Sequence, residues 1–280
     1  MTLDVVAIVT GGGRGLGRAM AFGLARAGAR VIAAAHIADD MAALDAETRG
    51  TALEGRVHPV LADLRRPADC DRVVAAATAR FGGLHVLVNN AGLTFTYITP
   101  DRFRRPEMAR FYEASDEIIQ NVMDTNYVAA DQMARRVAPL FVRQGWGRII
   151  NVTTMLDTMH RAGSSPYGPS KAALEMASEI WSKDLADTGV TVNVLNPGGG
   201  ANTPGMAEER REASRTGAMS KLVEPDEMVP PLLWLVSRAT DALTGWRFDA
   251  NRWDPTLPIE ENVRRSGRPA GFLLREPPAA

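Results

Sequence analysis

Two patterns in this sequence are built from residue types that could do chemistry. Tyr167 and Lys171 stand four apart at the head of an expected helix, with Pro169 tolerable in its first turn, so their side chains point the same way. A phenol of ordinary acidity is a poor acid or base at neutral pH, but an ammonium group held beside it favours the phenolate and moves it towards the working range. Taken alone, such a pair is usually solvated surface. The second pattern is Thr10-Gly11-Gly12-Gly13-Arg14-Gly15-Leu16-Gly17, where an apolar run gives way to a helix-forming one. Glycines there permit a tight turn and let the backbone approach a pyrophosphate, whose charge meets exposed N–H groups and the positive end of the helix. A turn that merely packs a helix closely on a strand would need the same residues.

The elements that must position these patterns alternate along the chain. Val5–Val9 and Arg30–Ala35 are short, nearly continuous apolar runs, as expected of strands covered on both faces of a parallel sheet, and Gly15–Ala27 between them reads as a helix closed by Gly28. Further strands are expected near Val57–Leu61, Val86–Asn89, Arg148–Val152 and Val190–Leu195, with helices near Pro67–Phe81, Ser115–Arg143 and Tyr167–Asp187, the last stopped by Gly189. This rhythm implies an α/β chain with one doubly wound, mainly parallel sheet, helices on both faces, and ligands beyond the strands' carboxyl ends. Two segments break it. Leu93–Ala114 carries Pro100, Pro106, Arg102, Arg104, Arg105 and Arg110, and the tail after Asp249 shows no strand and helix alternation. Segments 93–114, 155–166 and 201–222 are expected to wall a substrate pocket of mixed Met, aromatic and Arg character, which would suit an anionic or a moderately large apolar substrate equally.

The spacing T-G-x-x-x-G-x-G at Thr10–Gly17 resembles the short-chain dehydrogenase/reductase family, and further motifs follow in that family's order. Asp63, with Leu64 beside it, is similar to the family's adenine-contacting acid. Asn89-Asn90-Ala91-Gly92 is similar to its NNAG signature, and Asn126 in DTNYVAA to its helix asparagine. Tyr167 and Lys171 match its Y-x-x-x-K pair, and Asn196-Pro197-Gly198 its P-G turn ahead of a nicotinamide-contacting threonine, for which Thr203 fits best. The resemblance implies a single-domain Rossmann fold, with 1–250 the dinucleotide-binding catalytic domain and 251–280 a C-terminal extension. It also implies roles. Tyr167 would exchange a proton, Lys171 would lower its pKa and hold the nicotinamide ribose, and Asn126 would help hold a water linking Lys171 to solvent. Thr154 takes the place of the family's serine; it offers the same hydroxyl donor with an added methyl and a stiffer side chain, although Thr153 and Thr154 also suit a plain strand end. The cofactor set becomes Gly11, Arg14, Gly15, Leu16, His36, Asp63, Leu64, Asn90, Ala91, Gly92, Tyr167, Lys171, Pro197, Gly198 and Thr203.

In such folds an acid ending the second strand binds the ribose 2′-hydroxyl, whereas basic groups there accept a 2′-phosphate. Ala35 occupies the acid's position, Asp39 and Asp40 come several residues later, and Arg14 and His36 are near enough to meet a phosphate. NADP(H) is therefore favoured, with NAD(H) permitted. The expected activity is hydride transfer between nicotinamide C4 and a carbonyl or secondary-alcohol carbon, as an alcohol dehydrogenase or carbonyl reductase. A dinucleotide-binding sensor or scaffold without useful turnover is the alternative. A lyase or dehalogenase on this fold is disfavoured by the complete glycine turn.

Composition closes off other classes. With Lys+Arg 32 against Asp+Glu 33, there is no global positive field for nucleic acid or an anionic membrane surface. The single cysteine, Cys70, and four scattered histidines suggest neither a disulfide nor a metal site, and so a reducing, cytoplasmic setting. The amino-terminal MTLDVVAIVT reads as a first strand rather than a signal peptide, and no apolar stretch nears the roughly 20 residues of a membrane helix, so a soluble chain is expected. His58 and His85 flank strands as packing or surface residues, and His160 is a candidate to face the substrate. By analogy the chain would form a homodimer or homotetramer through the helices carrying Asn126 and Tyr167, with Trp246, Trp253 and Phe272 packing on a neighbouring subunit.

Overall fold

The apolar runs pair as strands that have no polar face to show. In the computed structural model, which describes residues 2–102, 104–105 and 107–272, β1 (Val6–Thr10), β2 (Arg30–Ala35), β3 (Val57–Leu61), β4 (Val86–Asn89), β5 (Gly147–Val152), β6 (Val190–Asn196), β7 (Trp246–Asp249) and β8 (Gly267–Pro269) form one sheet in the order β3-β2-β1-β4-β5-β6-β7-β8. Every pairing is parallel except β7 with β8. The order reverses at β1, where β2 lies on one side and β4 on the other, and a crevice opens beyond the carboxyl ends of such neighbours. Successive side chains of β1 enter opposite cores: Ala7 and Val9 join one with Met20, Leu24 and Leu232, while Val6 and Ile8 join the other with Val73, Val137 and Phe141.

Helices α1 (Gly15–Arg26), α2 (Ala38–Thr48), α3 (Pro67–Phe81), α4 (Phe95–Ile98), α5 (Asp116–Met123), α6 (Ala129–Gln144), α7 (Leu156–His160), α8 (Tyr167–Asp184), α9 (Glu208–Arg215), α10 (Val229–Leu235) and α11 (Ile259–Ser266) fill the connections. The fold is a single-domain, doubly wound α/β Rossmann-like fold, as its sequence rhythm predicts. The helix expected across Ser115–Arg143 differs: α5 and α6 are separated by a turn of π-helix at Asp124–Val128. Widened turns of this kind re-aim one side chain without ending a helix, and the one turned inward here is Asn126, fully buried. Helix α8 stops at Asp184, three residues before the expected end.

The tail after Asp249 is not a separate appendage, since α11 and β8 return to the edge of the sheet. Trp253 packs on Trp234 at 5.2 Å and Trp246 on Phe248 at 6.3 Å, so both rings join this chain's own core while staying partly exposed, and Phe272 is exposed. Pro106 and residues 273–280 lie outside the described residues. Among the described residues no helix is long and apolar enough to cross a membrane.

Candidate active site

A cavity of about 1440 Å³ runs across the carboxyl end of the sheet, and one end of it is made of backbone. Strand β1 turns into α1 through Gly11, whose φ of +64° suits glycine, and a Cβ on Gly17 would stand 2.1 Å from the Gly11 oxygen and 2.4 Å from Asn90 Nδ2. Only hydrogen fits there. Helix α1 starts with no side-chain cap and no acid in its first turn, so its free N–H groups and positive end are left for an anion beside the cavity. The turn is tied to the end of β4. Thr10 Oγ1 accepts from Asn90 N at 2.9 Å and Ala91 N at 3.0 Å, and Asn90 Nδ2 donates to Thr10 O at 2.9 Å. Thr10 is thus a structural member of the site that the sequence reading left out, although its place at the strand's end and its partner Asn90 are both in the motifs. These residues fit the pyrophosphate of a dinucleotide.

Gly11, Arg14, Gly15, Leu16, His36, Asp63, Leu64, Asn90, Ala91, Gly92, Thr154, Tyr167, Lys171, Pro197, Gly198 and Thr203 all line this one cavity. Thr203 lies against the glycine turn, its Cβ 3.1 Å from where a Cβ on Gly15 would be. The Asp63 carboxylate is gripped by Arg65, with Nε 2.9 Å from Oδ1 and Nη2 2.7 Å from Oδ2, which holds it below the ordinary carboxylate range. Asp40 corrects the sequence reading. Placed too late along the chain to matter, it stands on the first turn of α2, lines the cavity and pairs with Arg14 at 3.5 Å, so this end does hold a carboxylate. His160 is exposed and is not among the lining residues.

At the other end α8 begins with Tyr167. The Thr154 hydroxyl hydrogen-bonds its phenol. Lys171, one turn on and 4% exposed, donates to Val152 O at 2.8 Å. Burial pushes the phenol up from its ordinary value, the Thr154 bond opposing, and pulls the ammonium down to about 8. The expected lowering of the phenol by the neighbouring ammonium is opposed here by removal from water, which disfavours the charged form of both groups. A phenol so held stays protonated at neutral pH and can give its proton to an oxygen that reaches it.

Asn126 does not line the cavity but stands directly behind it. Its Oδ1 accepts from Leu93 N at 2.7 Å, and its Nδ2 donates to Leu93 O at 3.1 Å and Ser170 Oγ at 2.9 Å. A Cβ on Gly92 would be 3.3 Å from both Asn126 Oδ1 and Lys171 Nζ, so the three residues meet at one point.

Beneath this end lies a charged layer with no counterpart in the sequence reading. Glu175, fully buried on α8, accepts from Thr153 Oγ1 at 3.0 Å and pairs with Arg247 of β7 at 3.0 Å, while Arg247 Nη2 donates to Thr154 O at 2.9 Å. Burial raises the Glu175 carboxyl and Arg247 opposes the rise. One signal was available: Glu175 follows Lys171 by four residues on the same helix face. Above the layer, the Phe95 ring packs on Tyr167 at 4.8 Å and carries Arg102 on its other contact.

A family model described as short chain dehydrogenase matches residues 5–214. A short-chain type dehydrogenase/reductase of Picea abies is 32% identical over 241 residues, covering 83% of this chain and 85% of its own length. A 3-oxoacyl-acyl-carrier-protein reductase of Thermotoga maritima is 29% identical over 245 residues, covering 86% of this chain and 93% of its own. The crystal structure of a 3-ketoacyl-acyl-carrier-protein reductase from Brucella melitensis complexed with NADH superposes with a TM-score of 0.74 at 24% identity, covering 88% of this chain and 96% of that one.

Proposed function

The chain belongs to the short-chain dehydrogenase family, and from that premise we propose that it transfers hydride between a nicotinamide dinucleotide and a carbonyl or secondary-alcohol carbon, with Tyr167 as the proton donor and acceptor. The observation that carries this reading is the Thr154 and Tyr167 pair of hydroxyls at one end of a cavity whose other end is an uncapped, glycine-lined helix start. The dinucleotide supplies or accepts the hydride when bound. Reduction then requires one proton, delivered from the Tyr167 hydroxyl to the carbonyl oxygen as the new C–H bond forms, and oxidation returns it.

Thr154 orients the substrate oxygen. Its own position is set through its carbonyl by Arg247. Lys171 holds the ribose next to the nicotinamide and stands between the phenol and Asn126, the route by which Tyr167 recovers its proton. Most of the rate enhancement then comes from orientation. A sensor without turnover has no use for a buried lysine and a hydroxyl pair held in register, which favours the enzyme.

NADP(H) is the favoured cofactor. Ala35 supplies no acid at the end of β2, and Arg14, His36 and Arg65 line that end of the cavity. Asp40 opposes this by holding Arg14, which would have to release it to reach a 2′-phosphate.

Steady-state assays with NADPH and NADH over a panel of aldehydes and ketones test both statements. Turnover with NADPH is expected to exceed that with NADH in kcat/KM; the reverse order overturns the cofactor preference alone. Tyr167→Phe is expected to lower kcat by about a thousandfold or more, the upper range for a positioned acid, while leaving dinucleotide affinity nearly unchanged. A variant keeping most of its kcat would refute the assignment.

A further inference from the structure

The charged layer beneath the cavity extends further than the Glu175 and Arg247 pair. Glu175 is fully buried, Arg247 is 1% exposed and Asp249 6%, and a half-buried Arg268 follows at the edge of the sheet. The signs alternate along this line. Arg247 stands 3.0 Å from Glu175 and 3.6 Å from Asp249, and Asp249 stands 3.3 Å from Arg268. Arg247 and Arg268 are cross-strand partners on β7 and β8, an unfavourable like-charged pairing that the two carboxylates offset. The line is therefore completed by the tail, which supplies Arg268.

Each half of the line reaches a different wall of the cavity. Arg247 Nη2 donates to Thr154 O at 2.9 Å and Thr153 Oγ1 donates to Glu175 at 3.0 Å, which fixes the end of β5 beside Tyr167. Asp249 Oδ1 accepts from Asn196 Nδ2 at 2.8 Å, and Asn196 Oδ1 accepts from Gly198 N at 2.9 Å, which fixes the turn after β6. Thr154 and Gly198 both line the cavity. Stability does not account for the arrangement, because apolar residues of similar volume commonly match a buried ion pair. What apolar residues cannot supply is a donor for Thr154 O and an acceptor for Asn196 Nδ2.

We infer that Arg247 and Asp249 are positioning residues: from one strand they hold the Thr154 hydroxyl, which meets the substrate oxygen, and the Gly198 turn, which meets the nicotinamide end of the dinucleotide, at a fixed spacing. The inference rests on the hydride-transfer reading for what the two points bind, not for their being joined. Two residues apart on β7, the side chains share one face of the sheet, so a shift of either is felt by the other. Hydride moves only between carbons held in contact, and a small error in that spacing is costly in rate.

Two charge-neutral double variants of the full-length protein cut the line on either side. Glu175→Leu with Arg247→Met leaves Asp249 paired with Arg268, and Asp249→Leu with Arg268→Met leaves Arg247 paired with Glu175. The first should lower kcat about tenfold for the best carbonyl substrate of the panel, with NADPH Kd by fluorescence titration unchanged. The second should raise NADPH Kd about tenfold, each effect being that of one buried hydrogen bond to the wall. Both should unfold in urea near the parent's midpoint, whereas a merely structural role would move kcat and Kd together and in step with that midpoint. Arg247→Lys, a point charge in place of a fork, should keep a kcat between those of the parent and the first double variant, and it is the second test should that double variant not fold. Parental kcat in the first double variant, parental Kd in the second, or losses that follow the urea midpoint would overturn the inference. If the parent turns over no carbonyl compound, hydride transfer falls, and the inference is judged on the NADPH Kd and on a crystal structure of the first double variant. There the Thr154 hydroxyl should have left the Tyr167 phenol, and an unmoved pair would overturn the inference.

Discussion

One end of the cavity is made of backbone and the other of side chains, and the two ends constrain the sequence in different ways. At the glycine turn, function resides in N–H groups and in the absence of Cβ atoms, and the partner segments are adjacent strands whose register holds Thr10 against Asn90. Recognition of that kind must leave a fixed spacing. At the far end Arg102, Arg161 and Arg210 come from three separate connections, and only the fold brings them together. Side chains brought by separate loops tolerate any spacing that the loops can span, so apart from the Tyr167 and Lys171 pair this end leaves a composition but no motif.

The largest expected effect breaks the backbone end. Gly17→Ala places a methyl 2.1 Å from a carbonyl oxygen that the turn cannot move without opening. Dinucleotide Kd should rise by about two orders of magnitude or more, as for a backbone shift costing ~3 kcal/mol. Fluorescence titration reads it, and an unchanged Kd would mean that the turn does not cradle the ligand.

The next effect concerns what lies under the side-chain end. Glu175→Leu strands Arg247 in the core, and breaking a buried pair costs on the order of 3–5 kcal/mol, less here because Asp249 stands 3.6 Å from Arg247. Urea denaturation should show the loss, and the double change Glu175→Leu with Arg247→Met should recover most of it. A single variant as stable as the parent would mean that the buried pair contributes nothing to stability.

The smallest effect sharpens the comparison through pH. Lys171 titrates at about 8 in the folded protein against an ordinary 10.5. Between those values the unfolded chain binds more protons than the folded one, so stability rises with pH across the window, and below it the burial penalty is present in full. Relative to Lys171→Met, the ligand-free parent should gain up to about 3 kcal/mol between pH 7 and pH 11. A flat difference would show that the ammonium is well solvated.

The sequence reading recovers the α/β class and the strand series as far as β6 because these follow from apolar runs and turns, and the candidate residues that share the cavity through motifs that resemble those of the short-chain dehydrogenase/reductase family. What it misses depends on tertiary contact. Asp40 returns to Arg14 only because α2 starts immediately after β2. The π-turn that buries Asn126 inserts no residue type that marks it, and the pairing of Arg247 with Glu175 joins a strand and a helix far apart in the chain. The tail reads without periodicity because β8 contributes only three residues and runs backwards.

The strand order has a consequence for biogenesis. Ala7 pairs with Val31 on one side and with Val86 on the other, so a nascent chain can zip β1 to β2 early but must leave the opposite flank of β1 open until β4 has emerged. An open flank of Val, Ala and Ile is a template for any passing strand. Slowing translation once β4 has cleared the ribosome should raise the yield of native protein, whereas a pause that leaves β1 and β2 outside while β4 is still within it should raise aggregation.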